Sequence, residues 1–183
     1  SSCTSSDETG SGNKKPVINT ELEDKLEKMK QNFIENASKA KINNYEEAIR
    51  LIDDSGLLMK SMNVDSIAPN FKLPSSTGDS VELYDILVEK SVILIWYRGG
   101  WCPYCNVQLQ TYSNYLNEIH ELGAELIAIS PEMPDSTIST SNKNMLDFLV
   151  LSDLGNKVAK DYNIVFELPQ TAKKYYEGNL NIP

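Results

Sequence analysis

This sequence is short of the residues that most readily announce a function. It has one histidine, His120, and three cysteines, Cys3, Cys102 and Cys105. So few cysteines exclude a disulfide-stapled scaffold. They also exclude a conventional zinc centre. Four ligands are needed, and one CxxC pair with His120 and a tail cysteine cannot supply them. No cluster of lysine and arginine stands out, and the formal net charge is −9. Phosphate contacts need a basic face, so no nucleic-acid partner is expected. The longest continuous apolar run, VILIWY, has six residues, against the roughly 18 that a membrane-spanning helix needs.

What is present falls into three parts. Residues 1–20, SSCTSSDETGSGNKKPVINT, are polar and nearly free of apolar side chains. They cannot bury enough surface to order themselves, which predicts a flexible tether. Residues 21–60 predict a helical arm. Thr20 and Glu23 have the spacing of a capping box, and Leu22, Leu26, Met29, Phe33 and Ile34 recur at helical intervals. A second helix is expected from Tyr45 to about Leu58, with Tyr45, Ala48, Ile49 and Ile52 inward and Gly56 placed to break it. The arm packs on the main domain or offers a partner-binding surface.

Residues 61–183 read as one α/β domain. Pro69 and Pro74 flank a short extended piece, and VEL at 81–83 is extended again before a turn or two of helix. SVILIWY at 91–97 is a continuous apolar, β-rich run, the mark of a strand covered on both faces and central in a parallel sheet. AELIAIS and the middle of DFLVLSD make two more strands, and Asp153 caps a helix carrying Leu154, Val158 and Tyr162.

The chemistry gathers between the first of these strands and the next helix, in YRGGWCPYCNVQL. Arg98, Gly99 and Gly100 form the turn, and a helix opens at Pro103 and runs to Gly123. Cys105, Leu109, Tyr112, Leu116 and Ile119 share the face turned to the sheet, so Cys105 is expected to be sheltered. Cys102 stands at the helix N-terminus, exposed, where free N–H groups and the helix dipole stabilise a thiolate. Its pKa should fall below the roughly 8.5 of a free thiol, aided by Arg98. A bridge closing so short a loop removes little chain entropy, so a purely structural disulfide is a poor explanation of the pair. A reactive thiol fits better. The loop SPEMP after the second strand should face the same cleft, because parallel strands present their carboxyl ends together.

From about Ser66 onward the chain resembles the alkyl hydroperoxide reductase and thiol-specific antioxidant family, peroxiredoxin-like proteins of the thioredoxin fold. IAPNFKLPSSTGDSVEL resembles that family's opening Ala-Pro-x-Phe-x-Leu-Pro segment, and YRGGWCPYCNVQL the active-site stretch of one bacterial branch. ELIAISPEMP and VLSDLGNKVAKDYNIVF resemble the segments that follow. The resemblance implies that Cys102 is the peroxidatic cysteine, attacking a hydroperoxide and becoming a sulfenic acid. Cys105, or a thiol of another molecule, would condense with it, and a thioredoxin-like donor would reduce the disulfide. Arg98, Gly99, Gly100, Trp101 and Pro103 would shape the pocket. No metal or organic cofactor is implied.

Three departures keep other readings open. The family carries Thr or Ser three residues before its peroxidatic cysteine, where this chain has Gly99. WCPYC is similar to the active sites of glutaredoxins and thioredoxins, so a thiol–disulfide oxidoreductase is the rival activity. The family also continues with further strands and a closing helix, so this chain reads as lacking the C-terminal strands, with an uncovered strand edge. On that reading it is an inactive or partner-completed fragment. Finally, SSC ahead of a polar linker looks like the end of a bacterial lipoprotein signal with Cys3 as the lipidated residue. The alternative is a stray cysteine in a tail. Lipidation would tether the protein in the bacterial cell envelope, and without it the expected location is the cytoplasm.

Overall fold

In the computed structural model, which describes residues 17–177, the chain opens with helix α1 (Val17–Asn36). It starts ahead of Thr20, so the T-x-x-E pair lies inside the first turns and does not begin the helix. Residues 17–19 hold no proline or glycine to stop the helix extending upstream. Leu22, Leu26, Met29 and Phe33 are half-buried, while Ile34 is 40% exposed, because α1 seats only a narrow stripe. Helix α2 (Lys39–Asp54) begins well before Tyr45, because Ser38 caps it by accepting a hydrogen bond from the Lys41 N–H at 3.3 Å. Ala48 is buried, but Ile49 is 60% exposed and not inward as its spacing suggested. Gly56 breaks the helix with a φ of 71°, and a single turn, α3 (Leu57–Lys60), follows.

The main body starts with an antiparallel pair, β1 (Lys72–Pro74) on β2 (Ser80–Glu82), then α4 (Leu83–Leu87). Strand β3 (Ser91–Trp96) leads into α5 (Pro103–Ser113) and α6 (Leu116–Glu121). One continuous helix was expected here. Instead it breaks at Asn114–Tyr115, where the Tyr115 N–H bonds the Tyr112 carbonyl in a tightened turn. Strand β4 (Ala124–Ser130), helix α7 (Pro134–Asn144), strand β5 (Leu149–Ser152), helix α8 (Lys157–Asp161) and helix α9 (Gln170–Glu177) complete the order.

Strands β3, β4 and β5 form a parallel sheet in that order. The central strand is therefore β4, not the VILIWY strand. Among the described residues β3 is an edge, with Ile95 buried in the core but Ile93 42% exposed. Its unbroken apolar run reports hydrophobicity, not position in the sheet. Along β4 the side chains alternate between two cores. Leu126 and Ala128 face Leu109, Leu116, Phe148 and Val150, with Cys105, Tyr112 and Ile119 packed alongside. Ile127 and Ile129 face Phe71, Leu73, Leu83, Leu151, Val158 and Tyr162. Leu126, Ile127 and Ile129 are fully buried, each contributing about 1.5–3 kcal/mol of transfer free energy.

Asp153 does cap α8, accepting from the Val158 N–H at 3.1 Å and the Ala159 N–H at 2.9 Å. Leu154, expected in the buried stripe, is 58% exposed because it lies in the turn ahead of that helix. The tether and Cys3 lie outside the described residues, apart from the start of α1.

Candidate active site

The carboxyl end of β3 hands the chain to α5 through Tyr97–Trp101, and the sulfur chemistry sits at that handover. Cys102 takes an extended conformation at the N-cap of α5, with Pro103 first in the helix. An N-cap side chain normally accepts a hydrogen bond from the first turn, and here sulfur does so. Cys102 Sγ accepts from the Cys105 N–H at 3.3 Å and from the Cys105 thiol at 2.7 Å. Arg98 Nη2 adds a third donor at 3.1 Å. The Cys105 thiol hydrogen bond, with the Cys105 N–H and the Arg98 charge, outweighs burial and lowers Cys102 to about 5. Cys105 moves the other way, because its proton is committed to the Cys102 sulfur and burial penalises its charge. One thiolate and one thiol share the first turn.

The burial of the pair is the reverse of the expectation. Cys102 is 0% exposed, and Cys105 is half-buried. A helix N-terminus is open only when nothing remote in sequence covers it. Here the Arg98 guanidinium meets the sulfur and lies against the rings of Trp101 (5.0 Å to the centroid) and Tyr176 (5.6 Å). Those rings meet edge-on at 5.9 Å, and Arg98 Nη1 donates to the Tyr176 hydroxyl at 3.1 Å. The sulfur is enclosed, yet it is enclosed by donors. A low pKa and full burial are compatible for that reason.

The two glycines are required by close approach. Gly99 has a φ of 149°, and a Cβ there would run into the Trp101 indole and come within 2.8 Å of Glu132 Oε1. A Cβ on Gly100 would run into the buried Thr140 side chain. The Gly100 peptide is also held at both ends. Its N–H donates to Glu132 Oε2 at 3.0 Å, and its carbonyl accepts from Asn106 Nδ2 at 2.9 Å. Asn144 in turn donates to Asn106 Oδ1 at 3.1 Å and accepts from Gln110 at 3.0 Å. Glu132 comes from the SPEMP loop. Its own N–H donates to Ser130 Oγ at 3.2 Å, and its carbonyl accepts from Ser152 Oγ, so the ends of β4 and β5 aim its carboxylate.

The structure thus brings Arg98, Gly99, Gly100, Trp101, Cys102, Pro103 and Cys105 together. It adds two side chains absent from that set, Glu132 and Tyr176. Glu132 had a weak signal in its loop's position at a strand end. Tyr176 had none, because its contact spans the chain from residue 98. Among the described residues no group of three or more His, Cys, Asp and Glu is placed to hold a metal. His120 stands away from the site, 3.2 Å from Glu125 Oε1.

Residues 64–177 match the model of the AhpC/TSA family. The chain is 27% identical over 117 residues to peroxiredoxin Bcp of Escherichia coli K12, covering 64% of this chain and 74% of that protein. It is 31% identical over 114 residues to chloroplastic peroxiredoxin Q of Triticum aestivum, covering 62% of this chain and 52% of that one. In structure it is similar to peroxidoxin BcpB from Mycobacterium tuberculosis. The TM-score is 0.54 at 23% identity, over 56% of this chain and 67% of that chain. It is also similar to the reduced 2-Cys peroxiredoxin of Plasmodium vivax. There the TM-score is 0.53 at 23% identity, over 58% of this chain and 72% of that chain. These likenesses show a thioredoxin-type fold. Helices α1–α3 precede the matched residues.

Proposed function

The chain belongs to the AhpC/TSA family, and from that premise we propose that it is a thiol-dependent peroxidase with Cys102 as its peroxidatic residue and Cys105 as its resolving residue. The observation that carries the proposal is the triple hydrogen bond to one enclosed sulfur, from the Cys105 thiol, the Cys105 N–H and Arg98. It presents a nucleophile that is an anion at neutral pH.

The thiolate attacks one oxygen of the hydroperoxide. The S–O bond forms as the O–O bond breaks, and the second oxygen leaves as hydroxide or alkoxide, which takes a proton from solvent to become water or an alcohol. Arg98, 3.1 Å from the attacking sulfur, supports this reading as the cation that would stabilise the negative charge on that leaving oxygen. The Cys105 thiol then displaces hydroxide from the sulfenic acid, giving a disulfide and water. A thioredoxin-like dithiol returns both cysteines to the reduced state by exchange. A second reading, direct thiol–disulfide exchange on other proteins, is favoured by the 2.7 Å approach of the two sulfurs. Both readings use the same nucleophile, with an O–O or an S–S bond as its target.

Peroxide consumption coupled to thioredoxin and its reductase, run beside insulin-disulfide reduction, separates them. Fast peroxide turnover abolished by Cys102→Ser is the expected result. Insulin reduction without peroxide turnover assigns the second reading, and activity surviving Cys102→Ser removes both. None of the described helices is long and apolar enough to cross a membrane. An envelope location is proposed on lipidation of Cys3, which mass spectrometry of the mature N-terminus in its own host will show or refute.

A further inference from the structure

The matched residues begin at 64, so the helical arm lies outside them. Yet the arm reaches the sulfur through a chain of rings. Tyr176, near the end of α9, contacts the Arg98 guanidinium twice, by its face and by its hydroxyl. Behind Tyr176 stands Tyr45 of α2, with centroids 6.1 Å apart. Tyr45 stacks on Tyr175 at 5.5 Å and 19°, and Phe33 of α1 meets Tyr45 edge-on at 5.4 Å. Asn44 Nδ2 donates to the Tyr175 hydroxyl at 2.8 Å, and Lys41 lies over the rings of both Phe33 and Tyr175.

Arginine has many rotamers, and its guanidinium loses ordering entropy when fixed. A side chain packed against two rings and bonded at two nitrogens has had that entropy removed in advance. We propose that Tyr176 is a positioning residue that holds the Arg98 guanidinium against the Cys102 sulfur, and that Tyr45 of the helical arm holds Tyr176 in place. The arm is thereby part of the apparatus that sets the thiolate, although it supplies no atom to the reaction. The charged or titratable groups around that contact are Cys105, Arg98, Tyr176, Tyr45, Tyr175, Lys41 and Lys174. The proposal rests on Cys102 being the reacting thiol.

The test is a pH titration of thiolate ultraviolet absorbance in the full chain. Cys102→Ser identifies the low-pH step by removing it. Tyr176→Ala should raise the Cys102 midpoint by about one unit, a tenfold fall in thiolate at a fixed pH below it. Tyr176→Phe keeps the ring and loses the hydroxyl, so it should fall between. Tyr45→Ala should shift the midpoint the same way by less, and Tyr45→Phe should restore it. A general loosening of the fold would lower the urea midpoint of Tyr45→Ala without moving the thiolate midpoint, so unfolding is measured beside the titration. A midpoint unmoved in folded Tyr176→Ala overturns the proposal. Should Tyr176→Ala fail to fold, an unmoved midpoint in Tyr176→Phe overturns it instead. A shift at 176 without one at 45 overturns the arm's part. Titration does not depend on turnover, so the two readings fail separately. An inactive wild-type protein with these shifts sinks the peroxidase alone. Brisk turnover with no shifts sinks this inference alone.

Discussion

Cys105 Sγ lies 2.7 Å from Cys102 Sγ and donates a hydrogen bond to it, so one sulfur keeps the proton that the other gives up. The pH dependence follows from that division. An ordinary thiol gains reactivity as pH rises through about 8.5. Cys102 is lowered to about 5, chiefly by the Cys105 thiol, so its thiolate fraction climbs through that value and is complete at neutral pH. Iodoacetamide labelling of Cys102, followed by peptide mass spectrometry from pH 4 to 9, should rise and level off in the acid half of the range. A rate still climbing at pH 8 contradicts the assignment.

Removing the neighbour has two readable effects. Cys105→Ala removes the largest single cause of the lowered Cys102 pKa, and its labelling midpoint should rise by about a unit or more. The variant also cannot close the disulfide within one chain. After one equivalent of peroxide the wild-type protein should lose two hydrogens in mass. The variant should instead hold a sulfenic acid that dimedone traps. Disulfide closed within one chain of the variant would place resolution elsewhere.

Gly99 stands where the family carries a hydroxyl, and its surroundings do not admit one. The φ of 149°, the Trp101 indole and Glu132 Oε1 at 2.8 Å leave no room for a side chain. Gly99→Thr should cost about 1–3 kcal/mol of stability, seen as a lower urea midpoint, and should reduce peroxide turnover. Faster turnover in Gly99→Thr would show that the missing hydroxyl limits the reaction.

Asp153 is 2% exposed and satisfies two N–H groups of α8. Asp153→Ala leaves both unpaired and should lower unfolding free energy by about 1–2 kcal/mol. Asp153→Asn keeps one acceptor and should lose less. Equal midpoints for wild type and Asp153→Ala in urea would show that water replaces the cap.

The parts of the fold and site that could be read in advance are those built from neighbours in sequence. Pro103, the helical spacing from Cys105 to Ile119 and the placing of Cys102 at the N-cap lie within one segment, so the low thiol pKa was legible. Asp153 capping α8 was legible for the same reason. Helix α7 was not, because its Ser, Thr and Asn content reads as turn, and tertiary packing of Thr137 and Thr140 overrides that preference. The enclosure of Cys102 was hidden because Tyr176 comes from a remote helix with no periodicity pointing at it. The edge position of β3 could not be read from its composition, which says nothing of strand order, and followed only from the family resemblance, which implied an uncovered strand edge.

The cover over the reactive sulfur has a consequence for synthesis. Cys102 leaves the ribosome some seventy residues before Tyr176, a lead of roughly 4–15 s at ordinary elongation rates. Throughout that interval the Tyr176 side of the cover is unmade, so the sulfur that the finished fold encloses is open to solvent and oxidants.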